Sequence, residues 1–274
     1  VHTHLGVQAK ATADFLLCLD MKRDDRHLWM TDMGWVMGPL TLLSVLLSGS
    51  TLVLAEGAPS MPGDPFRLLR LASEMEVTRE TLASMERHLT AAAALFPRGI
   101  QFDAVGYGCT SGTAQIGPDQ VAAKIRDGAP SAFVTQPLSA LIAACGALDL
   151  KRLALLSPYV SEVSERLREV LSQNGVETPL FGSFDVGTEA VVVRIDSRSI
   201  IDAAQSLIGQ SDTPVDALFL SCTNLRAIDV IEPLEAALGM PVLTSNQVLA
   251  WHLMRKTGLD PSSGAPGRLF AHMA

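Results

Sequence analysis

From residue 76 onward the apolar positions switch between two spacings. Thr78, Glu80 and Thr81 precede Leu82, Met85, Leu89 and Ala93, which recur every three or four residues. That spacing predicts an amphipathic helix over 78–95, stopped by Pro97-Arg98-Gly99. Short apolar runs then alternate with further helical patterns. The runs predict strands at 102–107, 132–135, 152–156, 176–181, 217–220 and 242–244. Between and after them, helices are expected at 118–127, 138–148, 161–173, 197–209, 233–238 and 247–257, with Asn174-Gly175 closing the third. The strand runs are apolar almost throughout, as strands buried on both faces must be. Strand and helix in alternation, with short connections, predict an α/β fold with parallel sheets. In such sheets ligands gather at the carboxyl ends of the strands.

The first 74 residues lack this rhythm. Met33 to Ala55 carries no charge, a length that could cross a bilayer. Its Gly34, Gly38, Pro39 and Gly49 argue instead for a buried helix at 40–47, a turn at Ser48-Gly49-Ser50 and a buried strand at 51–55. A Pro/Gly-rich stretch follows, so a boundary is placed near 72–77, dividing the chain into 1–74 and 75–274.

The chain has 274 residues, 48% of them hydrophobic, enough for a substantial core and too many for a disordered chain. Its net charge of −8, with no Lys/Arg run longer than two, argues against a nucleic-acid partner. Cys18, Cys109, Cys145 and Cys222 are widely spaced, which supports neither a disulfide framework nor a metal site. Residues 1–10 show no secretory pattern, so the expectation is a cytoplasmic protein with reduced thiols and no membrane partner.

Two segments repeat. Phe102-Asp103-Ala104-Val105-Gly106-Tyr107-Gly108-Cys109-Thr110-Ser111 aligns with Val215-Asp216-Ala217-Leu218-Phe219-Leu220-Ser221-Cys222-Thr223-Asn224 at a constant offset of 113 residues. Asp, Ala, Cys and Thr coincide, and each copy is an apolar strand ending in Cys-Thr. If the halves pack about a pseudo-twofold axis, two thiols face one another across a cleft. One can remove a proton from a carbon or add to it while the other donates a proton from the opposite face. Loop N–H groups and hydroxyls can hold a substrate carboxylate. A thiol near pKa 8.5 is mostly protonated at neutral pH, so the loops are expected to lower one of the two. Cys145 lies in an apolar helical run and reads as core. His88, and Glu162, Glu165, Arg166 and Arg168, read as solvated helix faces, and His252 as a packed residue beside Trp251.

With these motifs the segment 77–270 resembles the aspartate/glutamate racemase superfamily. It is most similar to the maleate cis–trans isomerase and arylmalonate decarboxylase branch, and within that to the ectoine-utilisation proteins. The residues carrying this are Gly106-Tyr107-Gly108-Cys109-Thr110-Ser111-Gly112-Thr113, Ser157-Pro158-Tyr159 and Ser221-Cys222-Thr223-Asn224-Leu225-Arg226. The resemblance implies two pseudo-symmetric parallel-sheet half-domains. One is 75–150 with the C-terminal helix, the other 151–245. It also implies a small carboxylate substrate and no cofactor. Cys109 would be the nucleophile and Cys222 the proton donor. Thr110, Ser111 and Thr113 would bind one carboxylate, Tyr159 would donate its hydroxyl to a carboxylate, and Thr223 and Asn224 on the second loop would also bind the substrate. The family is often oligomeric; the sequence leaves this chain's oligomeric state open.

Family members begin with a strand, loop and helix that have no counterpart before Val77. Residues 1–71 instead resemble an internal piece of an acyl-CoA synthetase of the adenylate-forming family. The carriers are Val1-His2-Thr3-His4, the run from Trp29 to Gly38, and the run from Gly49 to Pro59. The ligase family's phosphate loop is missing, so ligase activity is not expected and Asp32 and Trp35 read as fold remnants. The first half-domain is therefore expected to be incomplete, with residues 51–55 substituting in its sheet. Three readings stand. They are an isomerase or racemase using both cysteines, a decarboxylase of substituted malonates using Cys222 alone, and a non-catalytic carboxylate binder or inactive remnant.

Overall fold

Strands that are apolar at every position need cover on both faces, and the second half of the chain supplies it. A computed structural model describes residues 11, 22–23, 26–28, 37–53, 77–96, 101–260 and 265–272. The backbone divides into two compact units, Val1–Glu74 with Ala94–Gly99, and Met75–Ala93 with Ile100–Ala274.

In the first unit, strand β1 (Arg26–Leu28) pairs in parallel with β2 (Thr51–Val53), Thr51 opposite Arg26. This corrects the expectation that 51–55 fills the sheet of the half-domain. The ladder of Thr51–Val53 is taken up by β1, and residues 54–55 lie outside the described ones. Between the strands runs a helix, Met37–Ser48. Thr41, Ser44 and Val45 are buried in it, whereas Leu42, Leu46 and Leu47 are exposed, so the helix forms but only one face is covered. Among the described residues no helix is long and apolar enough to cross a membrane. The stop at 97–99, Cys18, Asp32 and Trp35 lie outside the described residues.

The second unit holds two parallel sheets. One has β3 (Phe102–Gly106) and β4 (Ser131–Thr135). The other has the order β6-β5-β7-β8, from β5 (Arg152–Tyr159), β6 (Glu177–Val186), β7 (Ala217–Leu220) and β8 (Val242–Thr244). The period of two divides the larger sheet. Ala154, Leu156, Leu218, Leu220 and Val242 join one core with residues of the helices Ser197–Gly209 and Ile231–Leu238. Leu153, Leu155, Ala217, Phe219 and Leu243 join another with residues of Pro137–Ala147, Ser161–Gln173 and Ser245–Thr257.

The matched strands β3 and β7 sit in unequal surroundings. Flanked by β5 and β8, β7 is buried at all four positions. β3 has only β4 beside it among the described strands, and of its five residues only Val105 is buried. The final helix, Ser245–Thr257, leaves β8 and packs against β3, β4 and the helix Pro137–Ala147. Gly106 permits this approach, since a Cβ there would lie 3.0 Å from Leu253 Cδ1.

The predicted helix over 78–95 is two shorter ones, Arg79–Ser84 and Glu86–Ala93. It starts at Thr78, whose side chain accepts from the Thr81 amide in a reciprocal capping box. Arg166–Glu169 and Arg168–Glu165 form surface ion pairs one helical turn apart, and His88 is exposed.

Candidate active site

Each cysteine follows the carboxyl end of its strand, but the two loops differ. Cys109 is the N-cap of a helix, Thr110–Ile116, that periodicity did not reveal. The Gly112 amide donates to Cys109 Sγ at 3.2 Å, and Ser111 Oγ lies 3.8 Å from it. The start of a helix favours negative charge, so this contact favours the thiolate. Cys222 has no helix directly behind it. Its φ of 110° is a conformation that L-residues rarely adopt, a local cost of about 1–3 kcal/mol that the surrounding bonds must hold. The Asn224 amide donates to Cys222 Sγ at 3.3 Å.

One direct bond and a shared serine join the two loops. Thr223 Oγ1 donates to the Gly108 carbonyl at 2.9 Å. Ser245 Oγ accepts from the Cys222 amide at 3.0 Å and from Thr110 Oγ1 at 2.8 Å. Asn246 Nδ2 donates to the Thr223 carbonyl at 2.8 Å. The start of the last long helix thus fastens one Cys-Thr loop to the other.

Tyr159 is buried at the end of β5, and its hydroxyl reaches both Cys222 and Ser111. Tyr107 hydrogen-bonds Cys109, and its hydroxyl lies 3.9 Å from Met85 Sδ. These are the chain's two tyrosines, one on each sulfur. Tyr107 stands within the first Cys motif, where the sequence alone assigns it no role. Ser245, Asn246 and Glu189 carry no sequence signal, because their partners come from distant parts of the chain.

The predicted residues have unequal access to a ligand. Ser111 and Tyr159 meet at the sulfurs. Thr110 is buried with its hydroxyl on Ser245, and Thr113 is buried with its hydroxyl on the Cys109 carbonyl at 2.6 Å. Thr223 is half-buried and Asn224 exposed, its side-chain amide donating to Glu189 Oε2 at 2.7 Å.

The expectation of a lowered thiol pKa is corrected. Burial pushes Cys109 up, against the opposing bonds from Gly112, Ser111 and Tyr107. Burial, followed by the charge of Glu189, pushes Cys222 up to about 12. Both tyrosines are held above their ordinary value, first by burial. Cys145 is core, as expected, and burial takes it to about 12. His252 is buried, its Nδ1 2.9 Å from Thr135 Oγ1, and burial lowers it to about 4. Among the described residues no group of His, Cys, Asp and Glu could hold a metal ion.

The family model described as arylmalonate decarboxylase matches residues 118–270, more than half the chain. A maleate isomerase of Nocardia farcinica is 29% identical over 150 residues, covering 54% of this chain and 59% of that protein. An arylmalonate decarboxylase of Bordetella bronchiseptica is 29% identical over 126 residues, covering 45% and 52%. The chain therefore spans little more than half the length of these two relatives. A solved structure of Nocardia farcinica maleate cis–trans isomerase, a cysteine-to-serine variant with a covalently bound succinylcysteine intermediate, matches with a TM-score of 0.61. It is 26% identical and covers 71% of this chain and 81% of that one. Hexanoyl-CoA synthase of Cannabis sativa is 39% identical over 54 residues, 20% of this chain and 8% of that protein. So short a match lends the ligase resemblance weak support, and these relatives lend none to the ectoine branch.

Proposed function

Because the chain belongs to the arylmalonate decarboxylase family, we propose that it is a cofactor-independent isomerase or racemase of a small carboxylate, with Cys109 and Cys222 as the reacting groups. The observation that carries this reading is the fastening of the two Cys-Thr loops, directly through Thr223 and Gly108 and indirectly through Ser245, with a tyrosine hydroxyl on each sulfur.

The asymmetry of the loops fits a division of labour. Cys222, pushed up to about 12, is kept protonated and suits a proton donor. Cys109 is also raised by burial but carries three hydrogen bonds that favour its thiolate, which suits the nucleophile. On a cis-alkene dicarboxylate, Cys109 sulfur bonds to one alkene carbon and the π pair moves toward the other. That carbon takes the Cys222 proton. Rotation about the resulting single bond follows. Cys222 then takes a proton back, the C–S pair returns to sulfur, and the trans alkene leaves. The succinylcysteine of the Nocardia enzyme is an adduct of this kind. On a carbon acid the same pair would remove a proton from one face and return one to the other.

A second reading, decarboxylation of a substituted malonate with Cys222 alone, is favoured by the family description and the Bordetella relative. Proton NMR in D2O separates them. Maleate is followed for fumarate, amino acids for α-proton exchange, and phenylmalonate for loss of its carboxylate. The proposal expects turnover of one of the first two, abolished by both Cys109→Ala and Cys222→Ala. Phenylmalonate decarboxylation that survives Cys109→Ala would replace it with the second reading.

A further inference from the structure

A carboxylate faces the site that the preceding reading assigns to a carboxylate substrate. Glu189 opens the short helix Glu189–Val192 after β6 and is half-buried. Its Oε2 accepts from Asn224 Nδ2 at 2.7 Å, and the amide of the same Asn224 donates to Cys222 Sγ. Oε1 has no hydrogen-bond or ion-pair partner among the described residues. Its negative charge acts on both thiols, Cys109 and Cys222. A built-in anion here repels a substrate that carries only carboxylates and attracts one that also carries a cation.

We propose that Glu189 is a specificity-determining residue, whose free Oε1 receives a protonated amino group of the substrate beside the paired sulfurs. The substrate class is then a small carboxylate bearing an ammonium group. The relatives, in contrast, are named for maleate and arylmalonate, acids without an amino group. An ammonium bound at Glu189 also offsets a charge that opposes thiolate formation at both cysteines, so the right substrate helps to activate the site. This rests on the paired-thiol reading.

The test uses two probes that differ by one ammonium group, succinate and aspartate. The full chain is labelled with iodoacetamide at roughly pH 8, and Cys109 and Cys222 labelling is followed by peptide mass spectrometry as each probe is added. Aspartate is expected to protect at roughly threefold to fivefold lower concentration than succinate. Glu189→Gln keeps an oxygen for Asn224 while removing the charge, and should erase or reverse that order. Glu189→Asp should keep it. Equal protection by the two acids, or an order that Glu189→Gln leaves unchanged, overturns the inference while leaving the paired-thiol site standing. If neither acid protects, the carboxylate-site reading fails and the inference falls with it.

Discussion

Gly112 leaves room for two functional groups at once. A Cβ there would sit 2.9 Å from Cys109 Sγ and 2.8 Å from the Tyr107 hydroxyl, so both the sulfur and the phenol must give way. Displacements of about 1 Å can cost two orders of magnitude in rate. Gly112→Ala should therefore lower kcat about a hundredfold while the chain still folds, as steady-state kinetics beside circular dichroism would check. Tyr107→Phe removes a donor that favours the Cys109 thiolate. It should move the rise of Cys109 alkylation to higher pH and leave Cys222 alkylation where it was. The buried thiols also predict the direction of stability with pH. Unfolded thiols ionise near pH 8.5, roughly, while Cys145 and Cys222 keep their protons to about 12. The folded state thus binds more protons in that window, and stability is lost as pH rises through it. The thermal midpoint should fall from pH 8 to 10, and less steeply in Cys145→Ala.

At the scale of elements, continuous apolar runs made most of the second unit legible. The helices Ser161–Gln173 and Ser197–Gly209 and the strands Ala217–Leu220 and Val242–Thr244 lie where their patterns place them. Two short helices were illegible for physical reasons. Thr110–Ile116 is built from Thr, Ser and Gly, poor helix formers, and starts from a cysteine cap. Glu189–Val192 is a single turn ending in β-branched residues. The roles of Tyr107 and Glu189 were equally hidden, because Met85 and Asn224 come from distant parts of the chain and nothing in the motif marks the Tyr107 hydroxyl for the nearby Cys109. The repeat foretold matched strands but not their unequal surroundings. Amides of β7, with a strand on each side, should exchange with deuterium far more slowly than those of β3, measured by peptide-resolved hydrogen exchange.

For the molecule as a whole, the internal repeat and the racemase-like resemblance located the candidate chemistry within the second unit, and the family match lies there too. The first unit was less legible. Its uncharged stretch yields a helix with one exposed face and a strand paired to β1, neither of which completes the half-domain sheet. The account depends on two sulfurs, supplied by loops 113 residues apart, acting on one substrate. The most direct test is to incubate the Cys222→Ser chain with excess maleate and map adducts by peptide mass spectrometry. Cys222→Ser leaves Cys109 able to add to the alkene but removes the matched thiol partner. The account predicts one added maleate, on Cys109, and none in a Cys109→Ala, Cys222→Ser chain. An unmodified Cys109 would remove the alkene-isomerase reading and leave the racemase one, and an adduct that persists without Cys109 would contradict the paired-cysteine site.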